Sequence, residues 1–219
     1  MCNSERRSSL TDEAASAAKS KVITPQRTAE VKARIAQLSA MGFDRLDALD
    51  TSKLDSDVTE LILLEANMAY WFDVETGQFP NQHDSLMRSL AALVSPVLDD
   101  AVFEEEYPPE IDDDSHPYQL IAYADGNRYR VEARNLGDWY DVDAVLRFMN
   151  AIMESRGARA RFVSLATTDQ MLIVVAAPQD ALAKAAEAGL LELGDAAAAE
   201  QIGKEYEDKV LRELQHQKK

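Results

Sequence analysis

Hydrophobic residues recur along this chain first at helical spacing and later in alternation, and the change of rhythm divides it in two. Val31, Ile35 and Leu38 lay one apolar face on a helix that opens at Thr24-Pro25, an N-cap followed by proline at the first helical position, and ends at Gly42. A short turn or helix from Phe43 to Leu49 follows. Asp55 or Ser56 then caps a helix expected from Asp57 to about Val74. Its middle, with Leu61 to Leu64 and Tyr70 to Phe72, is apolar nearly all round, which predicts burial on more than one side. Gly77 stops it. Leu86, Met87, Leu90, Leu93, Val94, Val97 and Leu98 repeat at i, i+3, i+4, i+7, and Pro96 should kink or restart that helix.

The rhythm changes after residue 117. Tyr118 to Ala124 and Arg128 to Arg134 flank the turn Asp125-Gly126-Asn127, which predicts an antiparallel hairpin because both turn residues tolerate positive φ. In the second strand Tyr129, Val131 and Ala133 point one way, and Arg128, Arg130, Glu132 and Arg134 the other. Asp141 should cap a helix whose face carries Val142, Val145, Leu146, Met149, Ile152 and Met153, with Gly157 as its stop. A second hairpin joins Phe162–Leu165 to Met171–Ala177. The latter run does not alternate, as expected of a central strand buried on both faces. A helix over 178–188, a short edge strand over 190–193 and a C-terminal helix from Asp195 to about Leu214 complete the pattern. The fold class expected is α+β: an N-terminal helical region (23–98), then an antiparallel ββαββ sheet unit (117–194), with flanking C-terminal helices (195–219).

Charge adds two further segments. Residues 1–22, rich in Ser, Ala and charge without an apolar stripe, read as a disordered or frayed tail. Between Asp99 and Asp114 stand nine acidic residues, no basic one and two prolines, which predicts an acidic loop over 99–116 between the halves. The net charge is −16 overall, yet residues 1–40 carry +3, leaving −19 on the remainder. Such a body repels phosphate backbones, so a nucleic-acid partner is not expected, and a basic protein is. No apolar run approaches the roughly 18 residues needed to cross a bilayer, so no membrane partner is expected. No secretory signal precedes the single cysteine, Cys2, which makes the cytoplasm the expected compartment.

Candidate chemistry is sparse. His83, His116 and His216 are scattered, and no nucleophile elbow, phosphate loop or dinucleotide fingerprint occurs. No cofactor or catalytic residue is assigned. Two candidate binding features remain. The first is the run Asp138, Trp139, Tyr140 and Asp141 at a helix start. Its aromatics could serve recognition, or Tyr140 could staple onto Val145 and Trp139 pack in the core. Asp138, Asp141 and Asp143 also offer hard oxygen ligands for Mg²⁺ or Ca²⁺, although Asp141 as an N-cap and Asp143 beside the helix dipole explain the same residues. The second feature is the arginine face of Arg128, Arg130 and Arg134. It could dock an acidic ligand, or be covered by the chain's own acidic loop.

Ile35 to Phe43, with Met41-Gly42-Phe43 and then Leu46, Leu49, Val58 and Leu61, resembles a ubiquitin-associated domain over about 40 residues. That resemblance implies a three-helix module, from which the long apolar third helix departs. For function the composition favours a soluble acidic module that binds a basic protein, its sharpest form a bacterial immunity or inhibitor protein. The alternative is a divalent-metal-dependent enzyme using Asp138, Asp141 and Asp143.

Overall fold

A computed structural model describes residues 24–54, 56–110 and 116–217. The expected tail (1–22) and the core of the acidic loop, including Asp112, Asp113 and Asp114, lie outside the described residues. Helix α1 (Pro25–Met41) begins as its sequence requires: the Thr24 hydroxyl accepts from the Arg27 amide at 3.3 Å. It ends on Gly42, whose φ of 112° lies in the left-handed region that glycine adopts without penalty. Two three-residue 3₁₀ turns, Leu46–Ala48 and Thr51–Lys53, lead to α2 (Thr59–Glu65).

Here the sequence expectation fails. The long helix predicted from Asp57 to Val74 stops at Glu65; Asn67 takes φ 53°, and the chain continues as strand β1 (Ala69–Asp73). Tyr70, Trp71 and Phe72 are aromatic residues that favour a pleated surface, and in a strand they alternate between faces instead of sharing one. Helix α3 (His83–Ala92) follows, and the stripe beyond it continues in turns around Pro96. The acidic stretch also differs from expectation. Val102–Glu106 is strand β2, whose Phe103 fits the core while Glu104 and Glu106 project from an edge.

Strands β3 (Tyr118–Ala124) and β4 (Asn127–Ala133) form the predicted hairpin, with Tyr118 opposite Ala133 and Ala124 opposite Asn127. Asp125 and Gly126 hold φ of 52° and 74°, the turn geometry the dipeptide suggested. Helix α4 (Val142–Ser155) buries Val142, Val145, Leu146, Met149, Ile152 and Met153 as expected. Strands β5 (Ala160–Ser164) and β6 (Met171–Pro178), then helices α5 (Gln179–Glu187) and α6 (Ala198–Gln217), complete the chain. The edge strand expected at 190–193 is reduced to a single bridge, Leu165 to Leu193.

The fold is α+β, and every strand pair is antiparallel. The ββαββ segment does not make one sheet, however. Each hairpin recruits a strand from earlier in the chain, giving two three-stranded sheets ordered β2-β3-β4 and β1-β6-β5. Strand β6 is central and buried on both faces. Leu172, Val174 and Ala176 join a large core with α3, α4 and the β2-β3-β4 sheet, while Val175 and Ala177 join a second core with α1, α2 and α5. Among the described residues, no helix is long and apolar enough to cross a membrane.

Candidate functional site

The run 138–141 is a structural junction. Trp139 is 2% exposed, and α6 crosses its ring so closely that a Cβ on Gly203 would lie 2.1 Å from the indole Cη2. Its main chain is fixed from residues 74–81: the Asn81 amide donates to the Trp139 carbonyl at 2.7 Å, and the Thr76 amide to the Asp138 carbonyl at 2.7 Å. Trp139 therefore packs in the core and offers no ring to a partner. Asp141 is buried and caps α4, accepting from the Ala144 amide at 3.3 Å. It also accepts from the Arg134 amide at 2.8 Å and pairs with the Arg134 guanidinium at 3.0 Å. Burial pushes its carboxyl up, but these donors outweigh burial and hold it below the usual carboxylate range. Asp143 pairs with Arg147 at 2.9 Å. Among the described residues no group of three or more His, Cys, Asp or Glu side chains is placed to hold a metal ion, so Asp138, Asp141 and Asp143 do not converge as ligands.

His83 and Glu105, 22 residues apart in the chain, are brought together by the fold. Glu105 reaches from β2 to the start of α3, accepting from the His83 amide at 2.8 Å, so a carboxylate sits at that helix N-terminus. The wholly buried His83 ring accepts at Nε2 from the Asp141 amide at 3.3 Å, which places its proton on Nδ1. Nδ1 lies 3.3 Å from Glu105 but out of line for a hydrogen bond. Nδ1 makes no hydrogen bond, but the ring is wholly buried and so out of reach of a substrate. Tyr118 and Tyr140 pack on it at 4.5 and 5.2 Å between ring centroids. Burial, then the nearby Glu105, pushes the Tyr140 phenol up to about 12.

The arginine face is dispersed. Arg130 pairs with Glu106 at 3.5 Å and donates to Gln119 at 2.8 Å. Part of the acidic stretch thus answers the arginine face, from β2 across the intervening β3. Arg134 lies past the end of β4 and turns to Asp141 and to Glu200, 3.4 Å away. Arg128 is exposed and, among the described residues, its side chain has no partner.

The second tryptophan is the exposed one. Trp71 is 57% exposed on β1, an edge strand. Cross-strand register puts it opposite Ile173, Ile173 beside Leu165, and Leu165 opposite Leu193, which is 43% exposed. These four form one apolar row across the sheet. Helix α2, packed on β1, adds exposed Val58 and Leu61 one helical turn apart. Residues 57–75 and 162–203 supply this surface, and the one basic residue they contain, Lys184, is paired with Asp180 at 3.5 Å. Asp57 is paired with Arg27 of α1 at 2.8 Å; Glu60, Glu65 and Glu192 have no cationic partner among the described residues. The signal for Trp71 was present as three consecutive aromatic residues, which favour a strand, but the apolar neighbours in α2 concealed the change of element.

Comparison with protein families, with curated proteins and with solved structures finds no match to this chain. The region that resembles a ubiquitin-associated domain has 3₁₀ turns where that module has its second helix, and its third helix has only seven residues.

Proposed function

We propose that the protein acts by binding a basic protein, with the face around Trp71 as its contact surface. Its sharpest form is an immunity or inhibitor protein that masks a basic partner. The observation that carries this reading is an exposed tryptophan at one end of a four-residue apolar row, on segments whose single basic residue, Lys184, is already paired with Asp180. At protein interfaces a desolvated aromatic anchor supplies most of the affinity. Charges at the rim chiefly set encounter rate and partner choice. A net −16 draws a cationic partner from a distance, and the exposed Trp71 and Leu193 at the two ends of the row give it apolar surface to bury.

The test begins with a basic partner recovered by the immobilised chain at low salt and then purified. Its association rate should fall steeply with added salt. Trp71→Ala should speed dissociation about thirtyfold or more, the loss of a hot-spot tryptophan worth about 2 kcal/mol. Neutralising Glu60, Glu65 and Glu192 should mainly slow association. A partner that binds Trp71→Ala with unchanged kinetics overturns the assignment of this face, and one whose association ignores salt overturns the electrostatic part.

A further inference from the structure

On the opposite side of β1 from Trp71 lies a cleft of about 190 Å³. Tyr70 and Phe72 stack at 5.5 Å between centroids along its strand wall, and Tyr140 meets Phe72 edge-on at 6.3 Å. The rings therefore form two walls at a steep angle, with Ser85 and Ser89 of α3 across from them. Among the described residues, Asp73 is the only charged one lining the cleft. Its carboxylate is held at 3.1 Å by the neutral Gln170 amide, which also reaches Glu75 at 3.1 Å, and by the Glu75 backbone amide at 3.0 Å. No cation neutralises either carboxylate among the described residues, and the sequence has no lysine or arginine from 54 to 87.

We infer that this cleft binds an organic cation of the alkylammonium class, seated among the rings of Tyr70, Phe72 and Tyr140 with Asp73 at its rim. The ring quadrupole attracts a desolvated ammonium group, and an unpaired carboxylate adds to that attraction. The volume limits the guest to a head group, since drug-sized ligands occupy about 300–1,000 Å³. An anion would meet Asp73 and Glu75 without a counter-charge. The ammonium can belong to a free small molecule or to a lysine side chain on a protein. This inference rests on the cleft alone and survives failure of the partner reading.

Titration of the full chain with choline, followed by calorimetry and by NMR shifts of Tyr70, Phe72 and Tyr140, tests it. Saturable binding in the millimolar range is expected, about 4 kcal/mol for one small cation. The neutral isostere 3,3-dimethyl-1-butanol should bind at least tenfold more weakly. Asp73→Asn, an isosteric change at an exposed position, should weaken choline several-fold, and Tyr140→Phe should preserve it because the ring makes the contact. A lysine peptide binding more tightly than choline, and losing its affinity on acetylation, assigns the cation to a protein; the reverse order assigns it to a free molecule. Equal binding of the neutral isostere, no saturable response to either cation, or undiminished affinity in Asp73→Asn overturns the inference.

Discussion

Asp141 shows how one side chain can serve three elements. It caps α4, holds Arg134 just past the end of β4, and through Arg134 reaches Glu200 on α6. Asp141→Ala should cost about 2 kcal/mol in urea unfolding, from a lost cap and unsatisfied buried donors. Because its folded pKa lies below the unfolded value, its charge stabilises the fold above the ordinary carboxylate range and loses that effect as the pH falls through the folded value. Asp141→Asn should therefore be less stable than the native chain near pH 7, and the gap should close below about pH 4. Gly203 makes a second residue-scale case. An added methyl would overlap the buried Trp139 ring, so Gly203→Ala should cost about 1–3 kcal/mol and shift the tryptophan emission. Unchanged emission and stability would show that α6 does not rest on that ring.

Helix α4 carries the strongest agreement between pattern and packing. Its apolar stripe faces the large core, and both hairpins pack on it, through β4 and β5. Leu146 is 6% exposed, and Leu146→Ala should cost about 2–5 kcal/mol as a core truncation, read from the denaturant midpoint. Strand β2 is the converse case. Its glutamates divide by face: Glu105 turns inward to the start of α3, while Glu104 and Glu106 project outward around Ile121 and Arg130. Alternation in Val-Phe-Glu-Glu-Glu is hidden from a composition count, because one inward position is itself acidic.

At the scale of the whole molecule, the two cores are not independent units. They share the sheet β1-β6-β5, whose central strand gives alternate residues to each. Loss of either core would expose one face of β6, so unfolding should be a single cooperative transition. Trp71→Phe and Trp139→Phe each leave one tryptophan, one at the exposed edge and one in the large core. In each variant, fluorescence and far-ultraviolet circular dichroism should give coincident denaturation midpoints. Separate midpoints would mean that the helical N-terminal part melts alone.

Local signals in the sequence determined the elements whose cause is local. The Thr24-Pro25 start and Gly42 stop of α1, the Asp125-Gly126 turn, the Asp141 cap and the apolar period of α4 depend on neighbours within a few residues, and each stands in the structure as read. The unalternating run of β6 also identified a strand covered on both faces. Only the tertiary structure decided which strands lie beside one another. Leu61 to Leu64 favours a helix, and the following aromatics become a strand because they pair with β6, more than 90 residues away. The same long-range pairing turned the acidic stretch into an edge strand and divided the two hairpins between two sheets. It also decided which tryptophan is exposed: of two equal in the sequence, α6 covers Trp139, while β1 at a sheet edge leaves Trp71 exposed. Exposure depends on contacts between distant segments, and no local pattern of residues encodes it.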